Sequence, residues 1–169
     1  MSKSFLKFAF TAIMPILLLI TVNSDPAAAS PNSWLEQCRP YETKVKQILA
    51  SENIDQDYYY LMVAESHCTP KARSQHGAQG FWQLIPRTSH HYGCFYPDDL
   101  ECSTRAAARY IKRLQEEFKD FDAVIAAYNM GGHNLKQHGI NKSAQALIWT
   151  VKRLKRTARR LQNEALAQQ

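Results

Sequence analysis

The chain has 169 residues, and this length predicts a single domain. A formal net charge of +6 at pH 7 favours anionic partners such as cell-wall polymers, lipid headgroups or nucleic acid. The four cysteines contain no CxxC pair and the six histidines have no HExxH spacing, which argues against zinc or another metal. We therefore expect no metal site and no other cofactor.

Residues 1–29 have the pattern of a secretory signal peptide. Lys3 and Lys7 precede a long apolar run, and three alanines that end at Ala29 form a small-residue cleavage site. A membrane anchor is the alternative, but the run is short for a span of about 20 residues and Pro15 interrupts it. Cleavage after Ala29 would leave 140 of the 169 residues in the periplasm, with a net charge of about +5. Export also argues against nucleic acid as the partner.

Four cysteines in an exported domain of this size predict two disulfides. Cys94 and Cys102 bracket the turn-rich segment FYPDDLE, so we pair them with each other. Cys38 is then left with Cys68, which would tie the N-terminal segment to the stretch after Glu65. Each bridge would stabilise the fold by about 2–4 kcal/mol. Four buried thiols are the alternative.

The first half of the exported chain predicts two helices. An Asn-Ser pair at 32–33 would cap a helix that starts at Trp34 and is kinked or split by Pro40. Asp55 would cap a second helix, which the Thr-Pro pair ending at Pro70 must stop because the residue before proline avoids the helical region. A loop rich in turn residues follows.

The second half predicts further helices and little else. A short helix is expected over 81–84, and a long one capped by Ser103. The segment FDAVIAAYN predicts another helix, stopped by the glycine pair at 131–132, and a last helix begins near Ser143. A short strand pair within 75–100 is compatible with the sequence. The fold class is therefore a compact, mainly α domain.

The second helix places one carboxylate on an apolar stripe. The positions that share this face, at spacing i, i+3, i+4 and i+7, are Tyr58, Leu61, Met62 and Glu65. Burial and the negative end of the helix dipole both disfavour an anion in the last turn, so the pKa of Glu65 should be raised. A carboxyl that stays protonated near neutral pH is a candidate general acid. The alternative is an exposed terminal Glu without a role.

Several separated motifs, in a fixed order, carry a family resemblance. They are ES at 65–66, Ser74, GAQGFWQLIPRT at 77–88 with YG at 92–93, and AAYNMGG at 126–132. Together they resemble the soluble lytic transglycosylase domain, in the form found in membrane-bound lytic murein transglycosylase D. The resemblance implies a lysozyme-like helical domain that cleaves peptidoglycan strands between N-acetylmuramic acid and N-acetylglucosamine. It implies that Glu65 is catalytic and that a cleft is lined by Ser74, Gln83, Tyr128 and Asn129.

The resemblance also implies a reaction that needs a single carboxylate. Glu65 would protonate the glycosidic oxygen, and its anion would then accept a proton from the C6 hydroxyl of muramic acid, which closes a 1,6-anhydro ring. The alternative enzyme is a muramidase, which hydrolyses the same bond with Asp98 or Asp99 as a second carboxylate. Phe81 and Trp82 would pack either on sugar rings or in the core.

The sequence departs from the family pattern after Gly131. His133 stands where the family often has a second glycine, and the C-terminal cleft segment of the family has only Gln145 and Trp149 as its nearest positions. Because of these departures, a third hypothesis is that the chain is a weakly active wall-binding module of a secretion or conjugation machine.

The last helix combines an apolar stripe with a strongly basic face. The basic residues are Lys152, Arg153, Lys155, Arg156, Arg159 and Arg160. The face is either simply solvated or attracts anionic envelope polymers or a secretion or conjugation complex. We expect the protein itself to be a monomer.

Overall fold

The structure, a computed structural model, describes residues 30–169, so the predicted signal peptide lies outside the described residues. In this part of the chain the fold is mainly α, as predicted. The helices are α1 Pro31–Ser51, α2 Tyr59–Ser66, α3 Pro86–His91, α4 Leu100–Glu117, α5 Phe121–Met130, α6 Gly132–His138 and α7 Lys142–Leu166. Within these residues no helix is both long and apolar enough to cross a membrane.

Helix α1 begins earlier than predicted because Ser30 is its cap. The Ser30 hydroxyl accepts the Ser33 N–H at 3.4 Å, and Pro31 occupies the first helical turn, where a missing N–H costs nothing. The helix runs through Pro40 without a break, so the predicted split is wrong. Pro40 lies on the exposed face, where water can bind the carbonyl that loses its helical partner.

The cap of the second helix is confirmed. The Asp55 carboxylate accepts the Asp57 N–H at 2.9 Å and starts one turn of 3₁₀-helix that leads into α2. Helix α2 ends at Ser66, before the expected stop at Pro70, because His67 adopts a left-handed conformation with φ of 49°.

Helix α2 is buried on nearly all sides and not only along the predicted stripe. Its first five residues are all buried and run from Tyr59 to Val63. The helix packs against α1 and α7, so apolar side chains are needed on every face. The short central helix that carries Glu65 is thus enclosed by the two longest helices.

Residues 81–84 form a turn, so the helix predicted there is wrong. The turn is closed by isolated antiparallel bridges that join Gln79 to Arg73 and to Leu84, which are all that the described residues contain of the expected strand pair. A left-handed Gln83, with φ of 47°, is incompatible with a helix at this point. The helix of this region is α3, which follows the turn and begins at Pro86.

Asp99, and not Ser103, caps helix α4. The Asp99 carboxylate accepts the Cys102 N–H at 2.7 Å, and the Ser103 hydroxyl instead donates back to the Asp99 carbonyl at 2.6 Å from inside the helix. Both residue types are favoured caps, and the sequence prediction chose the later one.

Gly131 ends α5 as predicted, with φ of 83°. The chain does not leave the helical conformation for long, however, because α6 begins at Gly132, and this helix was not predicted. The last helix begins at Lys142 behind an Asn141 cap, one residue before the predicted Ser143.

Both predicted disulfides are present and confirmed. Cys38–Cys68 joins α1 to the loop after α2, with 5.4 Å between the Cα atoms. Cys94–Cys102 joins the segment after α3 to the first turn of α4, with 5.3 Å between the Cα atoms. The two bridges hold both ends of the loop region that lies between α2 and α4.

Two glycines in this loop region, Gly80 and Gly77, differ in how much space surrounds them. Both have positive φ, +74° and +80°. A Cβ on Gly80 would collide with the Pro97 carbonyl, whereas a Cβ on Gly77 would meet no atom within 4 Å. Gly77→Ala should therefore cost only about 1–2 kcal/mol of backbone strain, and Gly80→Ala should cost about 1–3 kcal/mol more. Urea denaturation of both variants measures the difference, and equal losses would contradict this packing.

Candidate active site

A cleft of about 480 Å³ opens at the C-terminal end of α2. It brings together all five residues that the sequence predicted for the site: Glu65, Ser74, Gln83, Tyr128 and Asn129. They come from α2, from the loop after it and from the end of α5, so three separate segments build the cleft. The wall also contains His76, Thr88 and Tyr110, which the prediction missed.

The Glu65 carboxyl is surrounded by protein and open toward the cleft. Burial is the cause that raises its pKa, from the ordinary 4.5 to about 7. No ion pair or hydrogen bond within residues 30–169 offsets this burial. Near neutral pH the group is therefore present in both protonation states, which suits a residue that acts first as an acid and then as a base.

Ser74 sits in a small closed turn at the cleft mouth. Its hydroxyl oxygen accepts the Ala78 N–H at 3.0 Å, and its own N–H donates to the Ala78 carbonyl at 3.0 Å. The hydroxyl proton has no acceptor in this turn, so Ser74 can donate a hydrogen bond into the cleft.

Gln83 uses its amide nitrogen to stabilise the loop. The Nε2 group donates to the Gly80 carbonyl at 2.9 Å and to the Ala72 carbonyl at 3.3 Å. Both amide hydrogens are thereby used, and the side-chain oxygen remains as an acceptor for a ligand.

Two buried hydroxyls hold the 81–84 turn against the helices. Ser66 donates to the Phe81 carbonyl and Tyr128 donates to the Trp82 carbonyl, both at 2.7 Å. Because the Tyr128 proton is used in this way, its oxygen can only accept a hydrogen bond from a ligand. Burial, and after it the nearby charge of an ionised Glu65, raises the pKa of Tyr128.

The rings of Phe81 and Trp82 belong to the core. They are 2% and 0% exposed, and the indole N–H of Trp82 donates to the Thr104 hydroxyl at 3.0 Å. The prediction that Phe81 and Trp82 pack in the core is therefore confirmed, and the alternative prediction that they stack on sugar rings is wrong. Tyr110 is the aromatic residue that faces the cleft beside Tyr128, with 5.3 Å between the ring centroids.

Glu65 is the one carboxylate among the described residues that line the cleft. Asp98 and Asp99 are absent from its wall, and Asp99 is engaged as the cap of α4. Gln145 and Trp149 line a separate surface depression beside Ile140 and α7. Residues 30–169 contain no group of three His, Cys, Asp or Glu side chains that could hold a metal ion.

Comparison with known proteins places this cleft in a family context. A family model described as the transglycosylase SLT domain matches residues 45–149 and so covers every cleft residue. Membrane-bound lytic murein transglycosylase D of Escherichia coli (strain K12) is 31% identical over 115 residues, which are 63% of this chain and 25% of the relative. Membrane-bound lytic murein transglycosylase F of Saccharophagus degradans is 38% identical over 104 residues, or 55% of this chain and 20% of the relative. The chain thus spans about a quarter or less of the length of these relatives.

The raised pKa of Glu65 predicts a pH-dependent cost in stability. Its folded-state value of about 7 lies above the ordinary 4.5, so the fold favours the protonated form, and this stability is lost as the pH rises through 7. Glu65→Gln cannot ionise and should be more stable than the native protein at pH 8, by up to about 3 kcal/mol at 1.36 kcal/mol per pKa unit. At pH 5 this difference should shrink to less than about 1 kcal/mol, because pH 5 lies only slightly above the ordinary pKa of 4.5 at which the carboxyl of the unfolded chain titrates.

Urea denaturation at pH 5 and pH 8 measures this effect, and Glu101→Gln is the matched control. A hydrogen bond from Arg105 lowers the pKa of Glu101, so this variant should lose stability relative to the native protein at pH 8. A Glu65→Gln protein that gains nothing between pH 5 and pH 8 would contradict the burial argument.

Proposed function

The chain belongs to the transglycosylase SLT domain family, whose lysozyme-like helical fold it shares, and on this premise we propose that it is a peptidoglycan lytic transglycosylase. It cleaves the β-1,4 bond between N-acetylmuramic acid and N-acetylglucosamine and leaves a 1,6-anhydro end. The observation that carries the proposal is the single, buried and unpaired carboxylate of the cleft, Glu65. Hydrolysis by the common two-carboxylate mechanism needs a second acid, which the described cleft wall lacks.

The first step uses the protonated form of Glu65. Its proton passes to the glycosidic oxygen, the bond from that oxygen to C1 of muramic acid breaks, and N-acetylglucosamine leaves with a free C4 hydroxyl. The carbonyl oxygen of the 2-acetamido group bonds to C1 and takes up the positive charge, as in substrate-assisted glycosidases. Burial favours this step because it keeps the proton on Glu65 near neutral pH.

The second step uses the resulting Glu65 anion as a base. It takes the proton from the C6 hydroxyl of the same muramic acid, and O6 bonds to C1 as the acetamido oxygen departs. The 1,6-anhydro ring closes, no water is consumed, and Glu65 ends the cycle protonated. A pKa of about 7 serves both steps because neither protonation state is strongly disfavoured.

Ser74 and Tyr128 are proposed to position the acetamido group. The Ser74 hydroxyl, whose proton is free, donates to the carbonyl oxygen of the acetamido group. The Tyr128 oxygen, which can only accept, receives a hydrogen bond from the N–H of the same acetamido group. The two contacts turn the carbonyl oxygen of the acetamido group toward C1. Orienting reacting groups in this way can increase the reaction rate strongly. The Gln83 side-chain oxygen and Asn129 are left to bind sugar hydroxyls.

Helix α7 supports a proposal about partners outside the cleft. It contains seven basic residues and one acidic residue, whereas the rest of residues 30–169 contains twelve basic and thirteen acidic ones. The positive charge of the exported domain is thus concentrated on one helix whose other face packs on the core. We propose that an exported, monomeric protein uses this face to hold anionic envelope polymers, with a secretion or conjugation complex as the alternative. Retention on peptidoglycan that does not fall as salt rises would contradict this.

Mass spectrometry of the muropeptides that residues 30–169 release from purified peptidoglycan tests the proposed reaction. We expect products one water lighter than hydrolysed fragments. Glu65→Gln should release them about a thousandfold more slowly, as expected for loss of general acid–base catalysis. Asp98→Asn is the control and should retain activity, because Asp98 does not line the cleft. Full-mass reducing ends from the native protein would instead establish a hydrolase.

A further inference from the structure

A second depression adjoins the cleft of Glu65, and we call it the extension. This depression, of about 560 Å³, shares Thr88 and Tyr110 with the cleft wall, so the two lie side by side. Past these shared residues the extension is lined by Arg87, His90, His91 and Tyr92. Most of this wall comes from α3 and the residue after it, none of which was predicted as part of a site.

The extension is basic and contains no carboxylate in its wall. Arg87 is exposed, and the ion pairs within residues 30–169 do not include it. The arginines of the neighbouring helix differ, because Arg109 lies near the Glu52 carboxylate at 3.7 Å and Arg113 pairs with Glu116 at 3.4 Å. Arg87 therefore offers a guanidinium whose charge is not already compensated by the protein.

Two contacts support residues in the wall of the extension. The Arg109 guanidinium donates to the Tyr92 carbonyl at 3.2 Å, and the Phe95 ring stacks on His90 with 4.7 Å between centroids. Phe95 directly follows Cys94, whose disulfide ties this segment to α4. The segment that carries the basic side chains is thus anchored to the rest of the domain at His90 and Tyr92.

We propose that this extension binds a carboxylate of the stem peptide on the muramic acid chain that occupies the cleft, with Arg87 as the main contact. The inference rests on the proposed function, since it assumes that a peptidoglycan strand lies beside Glu65. The sugar rings of such a strand offer hydroxyls and amides, whereas its stem peptides carry free carboxylates. The planar fork of an arginine matches a carboxylate with two parallel hydrogen bonds. The shared residues Thr88 and Tyr110 place the extension directly beside the cleft that would hold the sugar.

Binding of end-labelled glycan strands, measured by fluorescence anisotropy at low salt, tests the proposal. A Glu65→Gln background stops turnover, so that affinity is measured independently of cleavage. Three strands are compared: strands with intact stem peptides, the same strands with every carboxylate converted to an amide, and strands stripped by an amidase, which retain only the lactyl carboxylate. Arg87→Gln is the test variant, and Arg39→Gln, which removes an exposed charge on α1 outside both the cleft and the extension, is its control.

We expect intact strands to bind about tenfold more tightly than amidated strands, which corresponds to about 1.4 kcal/mol. Arg87→Gln should abolish this preference without changing the affinity for amidated strands, Arg39→Gln should keep it, and stripped strands should bind as weakly as amidated ones. Equal affinity for intact and amidated strands, or equal weakening of both by Arg87→Gln, would overturn the proposal. So would Arg87-dependent binding of stripped strands at full affinity, because the carboxylate would then be the lactyl one.

The same variants separate this proposal from the proposed function. If the protein with native Glu65 releases no anhydro product but the preference for intact strands depends on Arg87, then only the proposed reaction fails. If anhydro products form and Arg87→Gln changes neither binding nor the rate on intact strands, then only the inference about the extension fails.

Discussion

The burial of one carboxyl without a partner is the constraint on which the rest of this structure depends. Glu65 lies in the last turn of a short helix that α1 and α7 enclose, and nothing in the described chain compensates its charge. Ionisation of a carboxyl in this position lowers the free energy of unfolding, because the charge is buried without a partner. Packing elsewhere in the domain must offset this loss of stability. That cost is also what makes the residue useful, since an acid with an ordinary pKa would have lost its proton long before neutral pH.

The second requirement is a wall for the cleft that contains Glu65, and the turn at 81–84 supplies part of it through Gln83 and Leu84. A turn this sharp leaves backbone carbonyls without helical or strand partners, and buried carbonyls need donors. The hydroxyls of Ser66 and Tyr128 and the amide of Gln83 provide these donors. Two of these three side chains, Tyr128 and Gln83, also line the cleft, so the contacts that fold the loop leave a defined set of free donors and acceptors for a ligand.

The sequence predicted the features that local chemistry decides. The mainly α fold follows from periodicity, the Asp55 cap from its residue type, and both disulfides from cysteine spacing. Errors arose where two residues of equal propensity compete, as at Asp99 and Ser103, and where tertiary contacts impose a rare conformation, as at Gln83 with φ of 47°. The meeting of Ser74 and Tyr128 in one cleft was anticipated from family resemblance, because no local pattern links segments so far apart. Thr88, Tyr110 and the basic wall of α3 escaped prediction for the same reason.

Titration of the Glu65 carboxyl carbon by NMR in the free protein tests the central claim most directly, with the Glu65→Gln spectrum used to assign the resonance. A midpoint at about pH 7 is the expected result, and it would show that burial holds the proton on this residue up to neutral pH. A midpoint near the ordinary 4.5 would contradict the account, because Glu65 would then be ionised at neutral pH and unable to act as the acid of the first step.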